Sequence, residues 1–309
     1  MPTLAPSSTI PDDARGAAIA LGNFDGVHAG HQAVIASAGA VAERRGAALG
    51  VAVFEPHPRR FFRPTTAPFR LQNTRQRARA LSAVGVQEVF EIGFDAALAG
   101  STDREFAERV LRDLLGVTHV SIGADFRFGK GRSGDATSLE ALGQELGFTV
   151  DAVTPVGGVR KLSSSAIREA VERGDMAEAR TALTRPWAIE GEVLRGFQRG
   201  RTLGMPTANV ALGEYVRPRL GVYAVRVDVG DGPWMPGVAS VGVNPTVGAL
   251  PEPLLEAHLF DFSGDLYGRT IEVELIAFLR EEQTFDSLGE LKRQMTQDVI
   301  DARRALIGV

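Results

Sequence analysis

Through its first half the chain alternates short β-branched runs with helix-length segments, and this alternation constrains the fold more than any other feature. Residues 17–21, 48–54, 86–92, 117–122 and 148–153 read as buried strands. Residues 32–45, 75–84, 103–115 and 138–146 carry helical patterns, the first with a small, Ala-rich face. Strands alternating with helices predict βαβ units and an α/β doubly wound parallel sheet. Ligands of such sheets sit beyond the carboxyl ends of the strands, so the strand-to-helix loops are where chemistry is to be sought. Residues 163–172 and 176–183 read as two closing helices. Near residues 184–186 the pattern changes to short extended runs (188–194, 222–227, 238–241, 256–260, 271–278) punctuated by Gly and Pro. This all-β stretch ends in one amphipathic helix over 288–306. Two domains are expected, residues 1–185 and 186–309.

At 309 residues the chain is long enough for each half to bury its own core. A formal charge of −4 argues against a general nucleic-acid binder, which needs clustered Lys and Arg for phosphate contacts. The chain has no Cys, which excludes disulfides, thiolate metal sites and Cys nucleophiles. Its first residues lack the basic start and apolar stretch of a signal peptide. No apolar run approaches the roughly 18 residues of a membrane span. A cytoplasmic protein with no membrane partner is expected, as a monomer or weak homo-oligomer.

The loop after the first strand reads GNFDGVHAGH, residues 22–31. Gly22, Gly26 and Gly30 allow sharp turns and leave little bulk above a ligand. A helix starting beside His31 offers free N–H groups and a positive dipole end to an anion. His28 and His31, three residues apart, suit donation to phosphate oxygens as charge develops in a transition state. Taken alone, Asp25 also fits a turn cap. In the second half, GEVLRGFQRGRTLGMPTAN (residues 191–209) places Gly196, Gly200 and Gly204 in a loop with Arg199 and Arg201 beside them. Pro206 stiffens the turn that delivers Thr207 and Asn209, whose hydroxyl and amide oxygens are hard ligands suited to Mg²⁺. Two further strings are decoys. GKGRSG (129–134) fits the dinucleotide fingerprint GxGxxG but does not sit directly between a strand and a helix. The stretch from Gly123 to Lys130 has one residue too many for a phosphate loop.

HAGH (28–31) resembles the HxGH signature of the nucleotidyltransferase superfamily, and the longer GNFDGVHAGH string is similar to bifunctional riboflavin kinase/FAD synthetases. FEPHP (54–58), GADFRFGKGR (123–132) and KLSSSAIR (161–168) fall in that family's order. So do GRTLGMPTAN (200–209), GVNPT (242–246), LEAH (255–258) and LREEQTF (279–285), with Met205 and Val247 where Phe is more usual. The resemblance implies a nucleotidyltransferase domain followed by a small Greek-key barrel and a C-terminal helix. It implies that the first half adenylylates FMN to FAD and the second phosphorylates riboflavin to FMN, with ATP as substrate and Mg²⁺ as cofactor. Gly22, Asn23, Phe24, Asp25 and Gly30 would line the nucleotide site with the two His. Asp125 would hold either the flavin nucleotide or the metal. Ser164 and Ser165 would cap the next helix and touch phosphate, and Arg168 would neutralise it. His57 and Arg127 fit a structural place as readily as a functional one. Glu256 would be the base that takes the proton of the riboflavin 5′-hydroxyl, and Arg280 would lie near the flavin. Rival readings are an aminoacyl-tRNA synthetase, disfavoured by the acidic chain, a non-catalytic flavin-binding regulator, and an enzyme keeping one activity only.

Overall fold

The computed structural model describes residues 3–4, 10, 14–154, 163–195, 205–230, 232–243 and 253–308. The chain forms two compact units, Met1–Thr66 with Thr74–Leu162, and Ala67–Asn73 with Ser163–Val309.

In the first unit the strands are β1 (Thr3–Leu4), β2 (Ala18–Leu21), β3 (Leu49–Glu55), β4 (Glu88–Gly93), β5 (His119–Gly123) and β6 (Thr149–Val153). They lie in the order β1-β4-β3-β2-β5-β6, and every pair is parallel. The predicted α/β doubly wound sheet is therefore present. Its helices are α1 (Ala29–Arg45), α2 (Pro58–Phe62), α3 (Thr74–Ala83), α4 (Ala96–Gly100), α5 (Asp103–Phe106) and α6 (Ala136–Leu146). After α5 the helix predicted over 103–115 continues as a π-helical stretch, Ala107–Leu114.

Both faces of the sheet are covered. Ile19, Leu21, Ala52 and Ile122 look to one side, and Ala18, Ala20, Val51 and Val53 to the other. The second set packs on Ala38 and Ala42 of α1, whose small face lets the helix lie close. Gly46 ends α1 in the left-handed conformation (φ 62°) behind Arg44 and Arg45, which suit the negative end of the helix dipole. One strand departs from expectation: β6 is an edge strand, largely exposed, because it pairs with β5 alone. The strand order turns back at β2, which lies between β3 and β5, so the crevice of this fold opens beside the loops after β2 and β5.

The second unit begins with α7 (Ser164–Arg173) and α8 (Met176–Leu183). Six strands follow: β7 (Trp187–Leu194), β8 (Ala208–Ala211), β9 (Gly221–Asp228), β10 (Met235–Val243), β11 (Pro253–Leu259) and β12 (Thr270–Arg280). They close into an antiparallel barrel in the order β10-β11-β8-β7-β12-β9. Within it β12-β9-β10-β11 is a Greek key: three sequential neighbours, and a fourth strand that returns beside the first. The helix α9 (Leu288–Ala305) covers Val222, Ala224 and Val238 on the outer wall. The change of pattern near residue 185 coincides with the start of β7, whereas packing groups α7 and α8 with the barrel. Residues 67–73 join this unit as a strap: the Trp187 indole N–H donates to the Leu71 carbonyl at 2.8 Å, and Asn73 Nδ2 donates to Glu190 at 3.0 Å.

Candidate active sites

The loop after β2 is buried and strained. Phe24, Asp25, Val27 and His28 are all at most 5% exposed. Of its three glycines only Gly26 uses the left-handed region (φ 95°); the other left-handed residues are Phe24 (φ 48°) and Val27 (φ 43°). A β-branched residue there is an outlier that the surroundings must hold in place, and such strain gathers at functional sites. His28 caps α1, its Nδ1 accepting from the backbone N–H of His31 at 3.3 Å. That bond needs a lone pair on Nδ1, so the ring proton of neutral His28 sits on Nε2. The two imidazoles stack with centroids 3.6 Å apart and planes 19° apart, and Phe24 meets His31 edge-on at 5.1 Å. Gln32 donates to the Val27 carbonyl at 3.0 Å, tying the loop to the helix. Gly30 lies in the first turn of α1, and Gly22 sits against the Phe24 ring, 3.3 Å from where a Cβ would stand. The side-chain oxygen of Asn23 is buried and has no hydrogen-bond partner among the described residues.

Asn23 also borders a cavity of about 810 Å³ at the carboxyl ends of the strands. Its walls are aromatic: Phe54, Phe62, Phe94, Phe106, Phe126 and Phe128. Phe54 and Phe94 meet edge-on at 5.7 Å, and Phe126 stacks on Phe128 at 5.9 Å. Arg63, Lys130 and Arg132 also line the cavity and make no ion pair among the described residues. Arg127 is engaged by Asp135 at 2.7 Å, and the exposed Asp125 lies on the same loop. His57 caps α2, with Nδ1 accepting from the Arg59 N–H at 3.0 Å. His57 and Arg127 stand out in the sequence, whereas the phenylalanine walls and the three cations belong to no single motif. The stretch set aside as a false dinucleotide fingerprint turns out to line this cavity, through Gly129 (φ 72°), Gly131 (φ 65°) and Arg132 (φ 62°).

The barrel carries the second constellation. Asn209 lies beyond the turn at Pro206, inside β8, where it pairs in register with Glu256 of β11. Glu256 accordingly lies mid-strand rather than at a strand end. Leu255 and Ala257 are fully buried in the interior, so Glu256 projects from the outer wall, as does Asn209 between Ala208 and Val210. Thr207, two residues before Asn209, takes the same face, and its hydroxyl donates to a Glu256 carboxylate oxygen at 3.5 Å. The His258 ring N–H donates to the Pro206 carbonyl at 2.9 Å and pins the turn before β8. Beside Thr207 lies a cavity of about 530 Å³, bordered by Val193, Leu259, Asp265, Leu266 and Tyr267. Thr207, Asn209 and Glu256 form an oxygen-only donor set, which fits a hard divalent cation.

Other expected residues are placed differently. The cap of α7 is Ser163, accepting from Ala166 N–H at 3.3 Å, and not Ser164 or Ser165, which begin the helix. Arg168 Nε donates to the Phe69 carbonyl at 2.7 Å, within the second unit. Arg280 donates two 2.7 Å bonds to Asp298 of α9, and Gln294 Nε2 donates to the same Asp298 carboxylate at 2.9 Å. The planar fork of Arg280 is thereby committed to fastening α9 to β12. Gly196, Gly200, Arg201 and Gly204, together with Lys161 and residues 244–247, lie outside the described residues. Among the described residues no helix is long and apolar enough to cross a membrane, and no group of three His, Asp or Glu side chains is arranged to hold a metal.

Known proteins are similar to this chain along its length. A family profile described as FAD synthetase matches residues 10–166, and one described as riboflavin kinase matches residues 183–306. A bifunctional riboflavin kinase/FMN adenylyltransferase of Pseudomonas fluorescens is 46% identical over 94% of this chain and 93% of its own. The Escherichia coli K12 protein of that name is 42% identical over 93% and 92%, and the Bacillus subtilis one 35% over 97% and 95%. A crystal structure from Streptococcus pneumoniae, titled a macrolide-efflux protein, superposes with a TM-score of 0.87 at 30% identity, covering 97% of this chain and 98% of that one.

Proposed function

The chain belongs to the bifunctional riboflavin kinase/FMN adenylyltransferases, and from that membership we propose how its residues divide the two reactions. The enzyme phosphorylates riboflavin to FMN and adenylylates FMN to FAD. The observation that carries the division is the pairing of two unlike sites: stacked imidazoles at a helix start in one unit, and a Thr–Asn–Glu face on the barrel of the other. We assign adenylylation to residues 1–185 and phosphorylation to 186–309.

In adenylylation, a phosphate oxygen of FMN attacks the α-phosphorus of ATP in line and pyrophosphate leaves. No protein nucleophile is needed, so positioning and charge stabilisation carry the catalysis. His28 offers its Nε2–H, and His31 stacks on it at the positive end of α1. Asn23, Asp25 and the bare backbone around Gly22, Phe24 and Gly30 shape the phosphate path. The phenylalanine-walled cavity suits the flat isoalloxazine ring, and Arg63, Lys130 and Arg132 suit the FMN phosphate. Asp125 orients the flavin nucleotide from the same loop. On α7, Ser164, Ser165 and Arg168 contribute to nucleotide binding.

In phosphorylation, the riboflavin 5′-hydroxyl attacks the γ-phosphorus while Glu256 takes its proton. Thr207 and Asn209 would hold Mg²⁺, which when bound would neutralise phosphate charge. Thr207 also donates to Glu256 and so holds its carboxylate. The cavity bordered by Leu266 and Tyr267 takes the adenosine, and Gly196, Gly200, Arg201 and Gly204 serve the phosphates. The enzyme works in the cytoplasm without nucleic acid or membrane, as a monomer or weak homo-oligomer. Incubation with riboflavin, ATP and Mg²⁺, followed by chromatography over time, tests the whole scheme: FMN rises first and FAD follows. FAD without prior FMN, or FMN alone, contradicts it.

A further inference from the structure

We propose that Ser240 positions the substrate in the kinase site, binding the ribityl hydroxyl next to the reacting one and so turning the terminal O–H towards Glu256. The inference rests on the reading of Glu256 as the base. Its ground is the register of the barrel. Ser240 of β10 lies directly opposite Glu256 of β11, which in turn lies opposite Asn209 of β8. Directly opposed side chains of an antiparallel pair share a face, with Cβ atoms about 4.5–5.5 Å apart. Ala239 and Val241 point into the barrel, at 1% and 0% exposure, so Ser240 projects from the same outer wall as Glu256.

The row Asn209–Glu256–Ser240 thus crosses three adjacent strands. On its other side Ser240 faces Val222 of β9, which belongs to the apolar cluster beneath α9. Ser240 is therefore where the outer wall passes from polar to apolar, the chemistry that a flavin needs from a polyol chain to a ring. Its half-buried hydroxyl makes no hydrogen bond among the described residues, whereas Thr207 on the opposite flank is already spent on Glu256. A hydroxyl both donates and accepts, and so complements the alternating hydroxyls of a ribityl chain. Orientation of this kind contributes through turnover, since a small misplacement of the reacting atoms costs about a hundredfold.

The test is Ser240→Ala in the full chain. Turnover of riboflavin phosphorylation should fall about tenfold to a hundredfold, with the KM for ATP and the adenylylation of supplied FMN unchanged. Ser240→Thr should restore most of the loss. In a Glu256→Gln background the same change should add little, because the two groups act on one alcohol. Wild-type turnover in Ser240→Ala, an equal loss of ATP affinity, or full additivity with Glu256→Gln would overturn the assignment. Undiminished kinase activity of Glu256→Gln alone would instead bring down the reading of Glu256.

Discussion

The site of the α/β unit and the site of the barrel are built by opposite means. At the first, one contiguous loop brings the candidate groups together: His28 and His31 stack because a strained turn through Phe24, Gly26 and Val27 feeds directly into α1. At the second, Asn209, Glu256 and Ser240 meet only because strands distant in sequence pair in one register. A loop site depends on local backbone conformation. A register site depends on the closure of the whole barrel. The two should therefore respond differently to damage.

The largest contrast comes from lesions within each site. His28→Ala with His31→Ala should lower FAD formation by at least about a thousandfold, judged from the loss of single transition-state donors elsewhere, with riboflavin phosphorylation intact. Glu256→Gln should lower phosphorylation by about a hundredfold or more and leave adenylylation of FMN intact. Steady-state rates on each substrate separate these outcomes, and loss of both activities from either lesion would break the comparison. A smaller effect sharpens the first site: Lys130→Ala with Arg132→Ala should raise the KM for FMN about tenfold without altering riboflavin phosphorylation.

Damage to the barrel's framework should read as stability. Arg280→Met strands the buried Asp298, and breaking such a pair costs about 3 kcal/mol. Calorimetry should show the barrel melting lower while FMN adenylylation survives at moderate temperature. The smallest effect belongs to the sheet. His119 is buried between Thr149 and Ser121, and burial holds its imidazole below the ordinary range, aided by Arg45 and Arg44 and opposed by Asp151. With the folded value depressed, the stability it contributes is present above about pH 6.5 and is lost as pH falls below that. The melting point of the first unit should drop by about 2–4 °C on acidification, and less in His119→Gln.

The same contrast explains what the amino-acid sequence disclosed. The parallel sheet was legible because its central strands are buried on both faces and read as uninterrupted apolar runs, as over 18–21 and 49–54. The His pair was legible because its whole scaffold is one string. Strand β8 was not, since four residues behind Pro206 and Thr207 carry turn chemistry rather than strand periodicity. The phenylalanine cavity was not legible, because its walls come from β3, α2, α5 and the loops after β4 and β5, each of which contributes one or two aromatic residues. The tie between Arg280 and Asp298 was not legible either, because the two lie on different elements and only the packing of α9 brings them together.

The central claim, two chemically independent sites on one chain, is tested most directly by complementation. The His28→Ala/His31→Ala protein and the Glu256→Gln protein are each supplied with riboflavin, ATP and Mg²⁺, separately and then mixed, and FAD is followed by chromatography. Neither protein alone should form FAD, the His variant should accumulate FMN, and the mixture should form FAD. A mixture that stays inactive, or either variant alone producing FAD at the wild-type rate, would contradict the account.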